Sequence, residues 1–234
     1  VFFWILRSSL EIQQTFIQCL RIGAQSLPVT AMTSFFTGMV LALQSGTTSK
    51  DLFNDPIYVG TVVAFSMVKE LGPVLTAIVV AGRAGAAIAA EIGTMKVTEQ
   101  IDALNTLGTN PIRYLVIPRY LACFFMIPLL TVFSDFAGVL GGFVVSLYRL
   151  DIPSTVYWDD IFTFMENEQF FHGFLKSFAF ALTIATVCCY KGLNTRGGAE
   201  GVGKATTGAV VVSMVSILIL DYFLTAILVA FGIS

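Results

Sequence analysis

Charge is what this chain has least of. Its 234 residues hold 13 Lys and Arg and 15 Asp and Glu, 12% charged in all, about half the ~25% of soluble domains. So few charges cannot cover a water-exposed surface. That excludes a disordered chain, a nucleic-acid binder and an ordinary soluble enzyme. Histidine occurs once, at His172, so neither a His-based triad nor a His-rich metal cluster can be assembled. No metal site is expected, and His172 reads as an interfacial residue at a span start. Cysteine is sparse too. Cys19, Cys123, Cys188 and Cys189 lie in or beside apolar stretches without CxxC spacing, and they read as small buried residues. The opening stretch lacks a basic n-region and a small-residue cleavage site, so no signal peptide is expected.

Apolar surface is what remains. The chain is 56% hydrophobic with 21 Phe, and its mean hydropathy is +0.83. The solvent to expect is lipid. A span needs roughly 20 mainly apolar residues, so about five spans plus loops fill residues 1–234 as a single membrane domain. The expected fold class is therefore all-α. Residues 1–22 read as an amphipathic helix lying in the headgroup region. Arg7, Glu11, Gln14, Gln18 and Arg21 form its polar stripe, and Phe3, Leu6, Leu10, Ile17 and Leu20 its apolar one, with Trp4 at the interface.

Five spans follow, at about 25–48, 58–82, 118–147, 172–191 and 207–232. The second continues into a small-residue segment in which Ala81, Gly85, Ala89 and Gly93 recur every four residues, a pattern that allows close helix approach in lipid. Residues 94–108 read as a short amphipathic helix ended by Gly108 and Asn110-Pro111. The third span is expected to tilt or break at Pro128. An acidic, aromatic loop (151–168) and a Gly-rich turn (192–203) flank the fourth. Placing 94–108 in the cytoplasm puts Arg7, Arg21, Arg83, Lys96, Arg113, Arg119, Lys191, Arg196 and Lys204 on that side. Only Lys50 and Arg149 fall opposite. This positive-inside bias predicts a cytoplasmic N-terminus.

The charges left inside the bilayer are the candidates for chemistry. Lys69 and Glu70 sit mid-span, where one charge costs roughly 2.5–3.5 kcal/mol on insertion scales. Leu71-Gly72-Pro73 follows them, and Pro73 frees the carbonyl four residues back. A broken helix beside an ion pair suggests a lined cavity. Lys176 lies one turn into its span, either snorkelling to the surface or pointing inward to Glu70 or Asp221. Asp221 and Asp135 are single mid-span acids with three readings: proton site, packing acceptor or lysine partner. Arg83 and Glu91 share a helix face, which suits anchoring of the 94–108 helix and equally a rim salt bridge. Gly198 to Ala205 falls one residue short of a P-loop, because Ala205 stands where Ser or Thr must hold the metal. It reads as a turn capping the last span, and no catalytic residues are expected.

These residues resemble a known family. Lys69-Glu70-Leu71-Gly72-Pro73-Val74-Leu75-Thr76-Ala77, then Ala81-Gly82-Arg83-Ala84-Gly85, Ala90-Glu91-Ile92-Gly93-Thr94-Met95, Thr98 to Leu104, and Asn110-Pro111-Ile112-Arg113-Tyr114-Leu115 with Pro118-Arg119 are similar to the MlaE/YrbE family. Gly201 to Thr207 and Leu220-Asp221 are also similar to that family, the first twenty or so residues match it in character more than in letters, and Asp135 falls outside the pattern. The family comprises permease subunits of ABC transporters that work with MCE-domain proteins. The resemblance implies phospholipid transport between inner and outer membranes, in support of lipid asymmetry. It implies a homodimer, a cytoplasmic ABC ATPase that uses the ATP, and an MCE-domain (MlaD-like) partner, with no cofactor in this chain. It places the protein in a bacterial inner membrane, multi-pass, although chloroplast relatives exist. Residues 94–108 become the coupling helix, with Glu91, Glu99, Gln100, Asp102 and Arg113 as ATPase-coupling residues. Lys69, Glu70, Lys176 and Asp221 become substrate-binding groups, with Met39, Leu41 and Leu43 lining the cavity for acyl chains. The alternative is an ion-coupled secondary transporter of an amphipathic substrate, using Asp221, Asp135 or Glu70 as proton sites. It is weakened by the lack of an internal repeat.

Overall fold

A computed structural model describes residues 12–53, 58–165 and 167–230, and among them only helices and turns occur. Five helices are long and apolar enough to cross a membrane: Ile12–Asp51, Val59–Val97, Ile112–Arg149, Glu168–Leu193 and Gly198–Ala230. With the N-terminal helical segment, this is the all-α membrane fold expected from composition. Much of the expected N-terminal stripe pattern (Phe3, Trp4, Leu6, Arg7, Leu10, Glu11) lies outside the described residues, as do 54–57, Glu166 and 231–234.

The described part of the first element is α1 (Ile12–Cys19), followed by a π-helical turn (Leu20–Ala24), a tight turn at Gln25-Ser26, and α2 (Leu27–Phe53). Of the expected apolar stripe Ile17 and Leu20 are exposed, while of the polar stripe Gln18 is buried and Arg21 exposed. The apolar stripe thus faces outward and part of the polar stripe faces inward, the sense suited to a lipid surround. The second long helix is built from α3 (Val59–Ser66), a π turn (Met67–Leu71), α4 (Gly72–Val80), a second π turn (Ala81–Gly85) and α5 (Ala86–Val97). The first of these turns is where Pro73 removes an N–H from the ladder, as the sequence predicts. Such insertions often mark functional positions.

Four local expectations change. The segment 94–108 is not one helix. Thr94–Val97 is the last turn of α5, Glu99 turns the chain at φ 60°, and α6 spans only Gln100–Thr106. The third long helix does not break at Pro128. A π turn (Ile112–Val116) opens it after Pro111, and α7 (Ile117–Arg149) runs through Pro128. The acidic loop contains α8 (Ser154–Phe164), anchored by buried Tyr157 and Ile161. These two are four residues apart and so share one helix face. The Tyr157 hydroxyl donates to the Val139 carbonyl at 3.0 Å, and burial pushes its ionisation well above the usual phenol range. Finally, α9 (Asn167–Leu193) is followed by a short turn, and α10 begins at Gly198 and ends at Ala230. The expected Gly-rich turn is therefore confined to the residues before Gly198. Gly197 and Gly198 take positive φ values of 91° and 63°, where a Cβ would be strained.

Contacts divide the chain into two compact units. One comprises 1–26, 77–128 and 178–221, and the other 27–76, 129–177 and 222–234. In the first unit the small-residue stripe does what its spacing predicts. Ala81, Ala89 and Ile92 are buried. A Cβ on Gly85 would stand 2.9 Å from the Cys188 Sγ, and one on Gly192 would stand 3.1 Å from the Ala89 carbonyl oxygen. The two helices meet closely because neither carries a side chain at those points. Cys123, Cys188 and Cys189 are buried, Cys19 is half-buried, and all four are free thiols. In the second unit, Ala42, Val63, Met67, Val139, Tyr157 and Ile161 belong to one apolar core. Here backbones come close as well: a Cβ on Gly38 would overlap the Gly138 carbonyl, and one on Gly141 the Phe35 carbonyl.

Candidate functional site

The second unit holds a buried polar cluster. Lys176, about two and a half turns into α9, is fully enclosed and pairs with a Glu70 carboxylate oxygen; the Glu70 side chain is 36% exposed. Of the two orientations left open by the sequence, Lys176 takes the inward one. Its Nζ also reaches the Lys69 carbonyl at 3.5 Å. That is the carbonyl Pro73 leaves without its helical donor. The helix break thus supplies an acceptor to the buried ammonium. The other Glu70 oxygen accepts from the Thr225 hydroxyl at 3.5 Å. Lys69 turns elsewhere, with its Nζ 4.8 Å from the centre of the Phe65 ring, a cation–π contact. Among the described residues no carboxylate pairs with Lys69.

His172 belongs to this neighbourhood, which corrects its reading as an interfacial residue. It is fully buried, and neither ring nitrogen makes a hydrogen bond of ordinary geometry. Its position four residues before Lys176 puts both on one face of α9. That spacing is the signal from which its burial could have been read. Gln169, on the preceding turn, is also buried.

The remaining substrate-site candidates are dispersed. Residues 39, 41 and 43 are two apart in α2, so the middle one points away from the other two. Leu41 packs against the apolar core. Leu43 is exposed, in a groove with Val40, Gln44, Thr47, Lys50 and Arg149. Met39 is half-buried, as is Asp221. A cavity of about 540 Å³ does exist in this unit, but none of the expected acyl-chain residues is among those lining it; its wall includes Asp135, Trp158 and several Phe.

The first unit holds a clamp of arginines. Glu91 takes Arg21 at 2.9 Å and Arg119 at 2.8 Å. Arg83 donates to the Arg21 carbonyl (3.1 Å), the Ser26 hydroxyl (2.8 Å) and the Gln25 side-chain oxygen (2.7 Å). Arg83 thereby caps the carbonyl end of the N-terminal helical segment. These contacts match neither reading from the sequence, since they go neither to the 94–108 segment nor from Arg83 to Glu91. What they hold is the N-terminal helical segment and α7, through Arg21 and Arg119. Around α6, Ile101 is buried and Lys96 pairs with Asp102 at 3.1 Å. Glu99 and Gln100 are exposed, and Arg113 is half-buried. Leu107 is 78% exposed, an apolar end on a polar surface.

The fold and these two polar centres accompany a clear likeness. The family described as Permease MlaE matches residues 15–227. A probable ABC transporter permease protein of Rickettsia prowazekii is 48% identical over 221 residues, covering 94% of this chain and 85% of the relative. A probable ABC transporter permease protein of Synechocystis is 42% identical over 227 residues, covering 96% and 85%. A third, from Pyropia yezoensis, is 39% identical over 205 residues, covering 87% and 77%. The chain belongs to the MlaE permease family: it is a multi-pass membrane protein and a permease subunit of an ABC transporter.

Proposed function

We propose that this permease moves phospholipids between the inner and outer membranes of a bacterium. In this reading it works as a homodimer with its N-terminus in the cytoplasm. A cytoplasmic ABC ATPase hydrolyses the ATP, and an MCE-domain protein receives or delivers the lipid on the far side. This chain needs no cofactor of its own. The observation that carries the reading is the arrangement around Lys176. An enclosed ammonium is already balanced by Glu70, and Lys69 stands beside it without a carboxylate partner among the described residues. Lys69 and Lys176 bring two ammonium groups into apolar spans of the same unit. A phosphate headgroup can take both, and the surrounding lipid-facing helices suit acyl chains. In this reading ATP rather than an ion gradient supplies the energy, which membership of an ABC permease family supports.

Coupling runs through α6. It follows directly on the helix that carries Lys69 and Glu70, and it presents Glu99, Gln100 and Leu107 outward. Closure of the ATPase would push on α6 and so on that helix, whose π turn at Met67–Leu71 can absorb the motion.

Two experiments test this. Lipid extracted from the purified complex and identified by mass spectrometry should contain phospholipid at a fixed ratio to permease; an empty complex would contradict the cargo. Glu99→Lys should abolish co-purification of the ATPase, because it reverses charge at an exposed contact while leaving the buried Ile101 anchor intact. An intact complex would remove the coupling assignment.

A further inference from the structure

The 540 Å³ cavity of the second unit is separate from the residues of the Lys176 cluster, and its composition is unusual. Val132, Phe136, Trp158, Phe162 and Phe171 make its wall apolar and aromatic, and Asp135 is the one ionisable group among the described residues that line it. Asp135 is 9% exposed. Its Oδ1 is closed off without a hydrogen-bond partner against the bare backbone of Gly72, where a Cβ would overlap it, which leaves the other carboxyl oxygen as the one a ligand in the cavity can reach. A carboxyl buried in an apolar wall without a partner is costly. Native structures satisfy such groups with protein, water or ligand.

We infer that this cavity binds a lipid alcohol: an apolar body with a single hydroxyl head, the hydroxyl bonded to Asp135. The volume lies in the range of small-molecule sites. Among the described residues Asp135 is the only charge the lining offers, beside the hydroxyl of Thr131 and the indole of Trp158. A hydroxyl both donates and accepts, so it satisfies the carboxyl in either protonation state. A phosphate or carboxylate head meets no cation here, and a headless chain leaves the carboxyl unpaired. The site therefore selects a ligand class different from the anionic phospholipid assigned to Lys69 and Lys176, and it does not depend on that assignment.

The cavity carries its own reporter. Tryptophan occurs twice, at Trp4 and Trp158, so a Trp4→Phe background leaves Trp158 as the only indole. The test uses the full chain in phosphatidylcholine nanodiscs and two quenchers of equal chain length, 11-bromoundecan-1-ol and 1-bromoundecane. The alcohol should quench Trp158 saturably, at about tenfold lower mole fraction than the alkane, the worth of one hydrogen bond to a buried acceptor. Asp135→Leu should bring the two quenchers to parity, and Asp135→Asn, which keeps an acceptor oxygen, should retain the preference. Should Asp135→Leu fail to fold, Val132→Phe decides: by narrowing the groove it should raise the half-quenching mole fraction of the alcohol several-fold. Equal quenching by alcohol and alkane in the background protein would overturn the inference. So would a preference that survives Asp135→Leu, or one unmoved by Val132→Phe.

Discussion

Lys176→Met should cost about 3 kcal/mol of stability and abolish lipid transport, while the double variant Glu70→Gln/Lys176→Met should recover the stability and not the transport. The Lys176 side chain is fully enclosed and the Glu70 carboxylate about a third exposed. Removing one member of a buried pair costs roughly 3–5 kcal/mol, because the other charge remains in a poor solvent. Water reaching Glu70 places this case at the low end of that range. Replacing both members with neutral groups of similar size is often nearly neutral, so the double variant should fold. It keeps the Lys69 ammonium but loses the second one, so a phosphate that needs both lysines is no longer held. The two readouts are thermal unfolding in detergent and ATP-driven lipid movement in vesicles. A single variant as stable as the wild type would mean that the pair contributes nothing to the fold. A double variant that transports would reduce Lys176 to a structural part.

The second large effect is steric. Gly38→Val or Gly141→Val should each cost about 3 kcal/mol, the upper part of the range for overpacking, whereas Gly208→Val should cost almost nothing. A Cβ at position 38 or 141 meets a backbone carbonyl, which cannot swing aside as a flexible side chain would. At Gly208 no atom lies within 4 Å. In lipid, helices gain their affinity from such close approach rather than from apolar burial, so losing it has no compensation. Yield of folded protein by size-exclusion chromatography, and its melting temperature, separate the three variants. Comparable losses at all three positions would show general intolerance of valine and not a helix contact.

Legibility in the sequence followed the physics of each feature. Spans depend on hydropathy summed over some twenty residues, and all five were visible. The Ala81–Gly93 stripe was visible because its period is that of the contact it makes. Other features depend on contacts between distant segments, which composition does not encode. The inward turn of Lys176 was open until Glu70 and the freed Lys69 carbonyl were placed beside it. The segment Ser154–Phe164 looked like a loop because its acids and aromatics hid an i, i+4 pair at Tyr157 and Ile161. The start of the last helix was hidden by Gly198, Gly201 and Gly203, since each glycine costs a helix about 1 kcal/mol relative to alanine. The set Met39, Leu41 and Leu43 came from resemblance alone, and its alternate spacing cannot put all three on one wall. Asp135 stood outside the family pattern, yet it lines an apolar cavity of about 540 Å³ in its unit.

The central claim is that this permease is an ATP-driven phospholipid carrier using the Lys69, Glu70 and Lys176 centre. The most direct measurement reconstitutes the permease with its ATPase and MCE partner in vesicles and follows transfer of a fluorescent phospholipid. The account predicts transfer that requires ATP, persists when the proton gradient is collapsed, and falls at least tenfold in Lys176→Met. Transfer that continues without ATP, that stops with the proton gradient, or that Lys176→Met leaves unchanged would contradict it.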